Sequence, residues 1–122
     1  DNRTTGIRVP ISSAAARRVE NRLPGMDTNP YLGIAATLGC GYLGLMNKVA
    51  PRPEFSGNAY IDSDEIPTTL GDALDMLEED AALVAVMGPD FCKVYDSVKR
   101  NEYKEFLQVI SPWERQHLLL NV

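Results

Sequence analysis

The sequence predicts an α+β chain in which strands come first and helices follow. Three observations predict it. Residues 2–11 and 17–24 alternate in character with the two-residue period that a strand imposes. Residues 29–50 are apolar at helical spacing. Residues 69–122 are divided by cap residues and by Gly-Pro and Ser-Pro steps into a series of shorter helices.

Taken in order, Asn2-Arg3-Thr4-Thr5-Gly6-Ile7-Arg8-Val9-Pro10-Ile11 is rich in β-branched residues and puts Ile7, Val9 and Ile11 on one face. Pro10, with no N–H for a ladder, ends it. Arg17-Arg18-Val19-Glu20-Asn21-Arg22-Leu23-Pro24 places Arg18, Glu20 and Arg22 on one face and Val19, Asn21 and Leu23 on the other. Pro24-Gly25-Met26-Asp27 is turn chemistry, after which Asn29 caps a helix with Pro30 at its first position. Leu32, Ala35, Ala36, Cys40, Leu43 and Met46 then recur near helical spacing to about Val49, and a helix so apolar all round is expected to be buried. Its Gly33, Gly39, Gly41 and Gly44 each cost helix stability and are expected to admit another backbone closely.

Residues 51–68, with Pro51, Pro53, Gly57 and Pro67, read as an irregular surface segment. Thr69 caps a helix to about Glu79 with Leu70, Ala73, Leu74 and Leu77 on one face. A short helix over 80–87 precedes the Gly88-Pro89 break. The next helix, over 90–109, has Phe91, Val94, Tyr95, Val98, Tyr103, Phe106 and Leu107 as its apolar side. Ser111-Pro112-Trp113-Glu114 has capping-box spacing and opens a last helix to Leu120. Met26, Met46, Met76 and Met87 read as core fillers.

With 122 residues, 44% of them hydrophobic and 24% charged, the chain is long enough for one domain with its own core. The net charge of −5 is uneven: residues 1–24 carry a local +3 from five arginines, which leaves −8 for the remainder. An arginine-only positive end without interleaved lysines and aromatics argues for small, multiply charged anions rather than nucleic acid. Cys40 and Cys92 have no metal or redox spacing and read as buried thiols in a reducing compartment. The longest apolar stretch, Tyr31 to Met46, is glycine-rich and too short to span a bilayer comfortably, and no secretory leader is visible, so a cytoplasmic protein with no membrane partner is expected. For the charged strand two readings stay open on the residues alone. It is either a wall that holds an anion with two guanidinium groups and a metal ion with one carboxylate, or an exposed strand of mutually paired charges.

Residues 2–10, Arg17 to Pro24 and Asn29-Pro30-Tyr31-Leu32 together resemble the C-terminal part of the glutamine synthetase catalytic domain. The likeness continues more weakly through Gly41-Tyr42-Leu43-Gly44-Leu45-Met46-Asn47-Lys48 and Leu70-Gly71-Asp72-Ala73-Leu74. It implies that residues 1–24 are two strands of an active-site barrel and that 69–122 are C-terminal helices. Family members are several-fold longer, and the chain opens at Asp1 rather than methionine, so residues 1–122 are expected to be the C-terminal segment of a larger enzyme, inactive alone.

The resemblance also implies the chemistry. ATP phosphorylates the side-chain carboxylate of glutamate, and ammonia or an organic amine then displaces phosphate. A guanidinium grips phosphate oxygens bidentately at any working pH and stabilises a transferring phosphoryl group. By matching positions, Arg8 and Arg18 bind the ATP phosphates, Arg3 reaches both nucleotide phosphates and glutamate, and Arg22 meets the glutamate side chain being phosphorylated, which makes Arg3 and Arg22 the catalytic pair. Glu20 matches a carboxylate ligand of the divalent metal, Mg²⁺ or Mn²⁺, whose other ligands precede Asp1. His117 matches no family ligand and is expected at the surface or in packing. The family forms homo-oligomers, here implied as a dodecamer of two rings in which a neighbour's N-terminal domain completes each site. The apolar Leu118-Leu119-Leu120 run then either reaches the facing ring or packs on its own subunit.

Three departures bear on substrate and regulation. Ala15 stands where many glutamine synthetases have a basic residue near the nucleotide. Glu20-Asn21-Arg22-Leu23-Pro24-Gly25 is worded more like the γ-glutamyl-polyamine synthetase branch. Tyr60 falls near a tyrosine that some relatives adenylylate, but Asn58-Ala59-Tyr60-Ile61-Asp62 lacks the usual flanks, so no such regulation is expected. The alternative from another class is a non-enzymatic oligomerisation module, its arginines a structural ion-pair network.

Overall fold

The structure is a computed structural model and describes residues 2–61 and 66–120. Strands precede helices, as expected of an α+β chain, and the chain divides into two compact units, Asp1–Ile66 and Pro67–Val122.

In the first unit, β1 (Ile7–Arg8) pairs antiparallel with β2 (Glu20–Asn21), setting Ile7 opposite Asn21 and Arg8 opposite Glu20. The ladder is much shorter than the alternating stretches 2–11 and 17–24. Pro10 closes it on one side, and a tight 3₁₀ turn at Ala14–Ala16 occupies part of the connection. On the other side a main-chain bond from Arg22 N to Gly6 O (2.8 Å) continues the pairing past β2. A Cβ on Gly6 would meet Leu23 Cδ2 at 2.5 Å, so a larger residue there would displace the exposed Leu23 side chain.

Asn29 caps α1 (Pro30–Met46), its Oδ1 accepting from the N–H of Tyr31 at 3.0 Å and of Leu32 at 3.3 Å. The helix ends through Lys48 in the left-handed region (φ 52°), with Val49 N–H donating to Gly44 O. A strip of Leu32, Ala36, Gly39 and Leu43 is covered, fully so only at Gly39, and Asn21 Nδ2 donates to Thr37 Oγ1 at 3.0 Å. Ala35, Met46, Ile34, Leu38, Tyr42 and Leu45 are exposed, so the described residues do not themselves supply the burial that so apolar a helix calls for. Cys40, expected to be buried, is exposed on this helix. The expected close approach of another backbone is not seen: a Cβ on Gly33 would stand 3.3 Å from the Thr28 side chain at Cγ2, and Gly41 and Gly44 face open space. Beyond α1 the described part of the 51–68 segment forms no helix or strand, as expected; its residues 62–65 lie outside the described residues.

The second unit is helical: α2 (Leu70–Glu79), α3 (Ala81–Met87), α4 (Pro89–Phe106) and α5 (Pro112–His117). Three of the four starts, those of α2, α3 and α5, follow a side-chain cap. Thr69 Oγ1 accepts from Asp72 N–H, Asp80 Oδ1 from Leu83 N–H, and Ser111 and Glu114 close a full capping box. Gly88 takes φ 98° to turn α3 into α4. Leu74 of α2 and Cys92 of α4 are the buried apolar side chains, and a cavity of about 190 Å³ beside Cys92 is lined also by Leu77, Val84 and Pro89.

The inward side of α4 differs from the expected one. Cys92, Tyr95, Asp96, Lys99, Arg100 and Tyr103 are the less exposed positions, whereas Phe91, Val94, Val98 and Phe106 are exposed. Arg100 explains the rotation: its guanidinium meets Asp96 at 2.9 Å on its own helix and Asp75 (2.8 Å) and Glu78 (3.3 Å) on α2, so a charged clamp turns inward. The last helix stops at His117 rather than Leu120. Met26, Met46 and Met76, expected in the core, are exposed. Among the described residues no helix is long and apolar enough to cross a membrane.

Candidate functional site

The β1–β2 register builds the site. Residues two apart on a strand share a face, which brings Arg18, Glu20 and Arg22 together, and the antiparallel pairing sets Arg8 directly across from Glu20. Arg8 reaches Glu20 Oε2 with both Nε (2.8 Å) and Nη2 (2.7 Å), while Arg18 Nε donates to the other oxygen, Oε1, at 3.1 Å. Arg22 Nη2 lies 3.9 Å from Oε2. The 3₁₀ turn steadies Arg18, whose Nη1 donates to Ala16 O at 3.3 Å. Arg22 is held at two points besides Glu20, by its own N–H on Gly6 O and by Nη1 on Asn2 O (3.1 Å).

Among the described residues, three guanidinium groups face the one carboxylate of Glu20. The Glu20 side chain retains 26% of its exposure, so water and small solutes reach the cluster. The Arg8 hydrogen bond, reinforced by the charges of Arg8 and Arg18, holds the Glu20 carboxyl below its ordinary value against a smaller opposing effect of burial. An arrangement of this kind retains a convergent set of N–H donors for an anion that displaces or joins Glu20.

Of the residues singled out in the sequence, Arg8, Arg18, Glu20 and Arg22 are brought together. Arg3 is exposed and among the described residues makes no ion pair with Glu20. Arg17 is exposed. His117 stacks on Trp113 with ring centroids 4.7 Å apart and its Nδ1 3.0 Å from Trp113 O, a packing role within α5. The divalent metal is a different matter. Among the described residues no group of three or more His, Cys, Asp or Glu side chains could hold a metal ion, and both Glu20 oxygens already accept from arginines. These residues do not by themselves fit a metal site, since such an ion takes about six oxygen ligands.

Sequence reasoning missed Asn2, Thr4 and Gly57. Asn2 Oδ1 accepts from Thr4 N–H (2.9 Å) and Thr4 Oγ1 (2.7 Å), and its Nδ2 donates to Gly57 O (2.8 Å). Thr4 Oγ1 accepts from Ala59 N–H at 2.9 Å, and Gly57 adopts φ 130°. The Asn-x-Thr spacing is a local signal for an Asx turn, but nothing local connects it to residue 57.

Comparison with known proteins gives a consistent picture. A family model described as glutamine synthetase, catalytic domain, matches residues 1–118. The chain is 38% identical over 118 residues to a glutamate–isopropylamine ligase of Pseudomonas sp, covering 93% of this chain and 26% of the relative. It is 33% identical over 123 residues to a gamma-glutamylputrescine synthetase of Escherichia coli (strain K12), covering 99% and 26%. A glutamine synthetase of Halobacterium salinarum is 32% identical over 127 residues, with 97% and 28% covered. The chain thus spans about a quarter of the length of the curated relatives it matches.

Proposed function

The chain belongs to the glutamine synthetase catalytic-domain family, and on that premise we propose that it is the C-terminal segment of a longer ligase that joins glutamate to ammonia or an organic amine through a γ-glutamyl phosphate. The observation that carries the proposal is the gathering of Arg8, Arg18 and Arg22 about Glu20 on one face of the β1–β2 pair. Arg8 and Arg18 grip the phosphates of ATP, and Arg22 holds the glutamate carboxylate as it takes up the phosphoryl group. Arg3 joins them from the segment leading into β1. Guanidinium forks suit this task because charge on the equatorial oxygens of a transferring phosphoryl group is met by fixed donors that never deprotonate. Glu20, once released by an arginine, would supply one oxygen to a divalent cation, Mg²⁺ or Mn²⁺, which would neutralise phosphate charge and would need its other ligands from outside these residues.

Relatives whose names specify isopropylamine, ethanolamide and putrescine products or substrates stand beside those named for glutamine. They support an acceptor drawn from ammonia and small organic amines. Coupled ATP turnover by the full-length protein with glutamate and Mg²⁺, supplied in parallel with ammonia, isopropylamine, ethanolamine or putrescine, tests this. Turnover with one or more acceptors is expected, and its absence with all of them overturns the proposal. The working enzyme is a cytoplasmic homo-oligomer, with the exposed Leu118, Leu119 and Leu120 at an interface between copies.

A second reading is favoured by the same ion pairs, which already satisfy Glu20: the cluster is a structural network and the helices mediate assembly. Arg22→Lys in the full-length protein separates the two. It keeps the charge and removes the fork. A catalytic role lowers turnover by about 100-fold or more with assembly intact, whereas a structural role weakens assembly and spares turnover per assembled site.

A further inference from the structure

We infer that Asn2 is a positioning residue for Arg22, and that through it the segment Gly57–Ala59 sets the geometry of the arginine site. The inference rests on the role proposed for Arg22. Of the cluster, Arg22 has the loosest hold on Glu20, at 3.9 Å, so its plane must be set elsewhere. Asn2 sets it: the main-chain oxygen of Asn2 accepts from Arg22 Nη1 at 3.1 Å. A backbone carbonyl is only as well placed as its peptide plane, and three bonds from the Asn2 side chain fix that plane. Its Oδ1 accepts twice from Thr4, at 2.9 and 2.7 Å, and its Nδ2 donates to Gly57 O at 2.8 Å.

Thr4 completes the lock, its hydroxyl donating to Asn2 Oδ1 while accepting from Ala59 N–H at 2.9 Å. Each polar atom in this chain has a consistent donor or acceptor role, which gives the lock one arrangement rather than several. Gly57, at φ 130°, presents its carbonyl toward Asn2 from a backbone conformation that other residues rarely adopt. A guanidinium held by a carbonyl at one nitrogen has its remaining N–H groups aimed, and displacement of such a group by about 1 Å costs on the order of 100-fold in rate.

The test uses the full-length enzyme, steady-state kinetics and four variants. Asn2→Ala should lower kcat by about 10- to 100-fold and raise the KM for ATP much less, because Arg8 and Arg18 are held by Glu20 and, of the arginines assigned to ATP, Arg3 alone adjoins Asn2. Thr4→Val, which removes the hydroxyl from the lock, should reproduce the loss, and Thr4→Ser should restore kcat. That pair keeps the inference testable even where Asn2→Ala impairs folding. Wild-type kcat in Asn2→Ala and Thr4→Val overturns the inference, and so does a rise in every KM or a loss of assembly with kcat per site preserved. Arg22→Lys is the control for the underlying reading. Wild-type turnover in that variant brings down the site assignment itself, whereas lost turnover in Arg22→Lys beside normal Asn2→Ala and Thr4→Val removes only the positioning role.

Discussion

Glu20 receives Arg8 at 2.7 Å and Arg18 at 3.1 Å, and the proximity of these charges makes its ionisation part of the stability of the β1–β2 pairing. The sign follows from linkage. A carboxyl whose folded pKa lies below its unfolded value contributes stability that is fully present above the unfolded value and is lost as pH falls through the lowered folded one. The carboxyl of Glu20 should therefore titrate below its ordinary value of 4.5 in a ¹³C NMR experiment, and the amides of β1 and β2 should lose exchange protection across that same acid range. Glu20→Gln should remove the pH dependence of that protection. A Glu20 midpoint at or above 4.5 would contradict the ion pairs. The residue types and spacing that make this cluster are visible in Arg18-Val19-Glu20-Asn21-Arg22, since alternation alone puts three charges on one face. Arg8 opposite Glu20 is a matter of register, and register depends on a turn whose length and geometry the alternation does not specify.

Among the helices, ends are better specified than faces. Asn29-Pro30, Thr69, Asp80 and Ser111-Pro112-Trp113-Glu114 start helices where their side chains can accept orphan N–H groups, and those interactions span three residues or fewer. The end of α1 is the strained exception, with Lys48 in a conformation that favours glycine. Lys48→Gly should stabilise the protein by about 1 kcal/mol, the penalty an L residue incurs in the left-handed region less the entropy of an added glycine. A denaturant midpoint unchanged or lowered by this substitution would argue against that backbone conformation. The inward face of α4 was illegible because apolar periodicity ranked Phe91, Val94 and Val98 above Asp96 and Arg100. The Asp96–Arg100 spacing signals a helical ion pair, but only the arrival of Asp75 and Glu78 from α2 makes that side the packed one.

For the molecule as a whole, exposed area outweighs the core. The chain exposes 10549 Å², where two separate compact units sharing its 13.5 kDa would expose about 7,900 Å². Among the described residues Leu74 and Cys92 are the buried apolar side chains, both in the second unit, while α1 leaves Ile34, Leu38, Tyr42 and Leu45 uncovered in the first. Surfaces of that kind mark contacts with other protein. The 122 residues prepared alone should bind a hydrophobic dye such as ANS and form polydisperse aggregates on size exclusion, whereas the full-length assembled protein should leave the dye dark and run as one defined oligomer. A monomeric, dye-silent 122-residue chain would show that α1 needs no further cover. By itself the sequence determined what acts over one helical turn or along one strand: where most helices start, and that residues 17–24 segregate their charges. Only the tertiary structure decided that Arg8 faces Glu20, that Arg100 turns α4 inward, and that Asn2 reaches across 55 residues to Gly57. Caps and alternation are satisfied by neighbours in the chain, whereas each of those pairings exists only once distant segments have been brought together, and no local preference encodes which distant partner arrives.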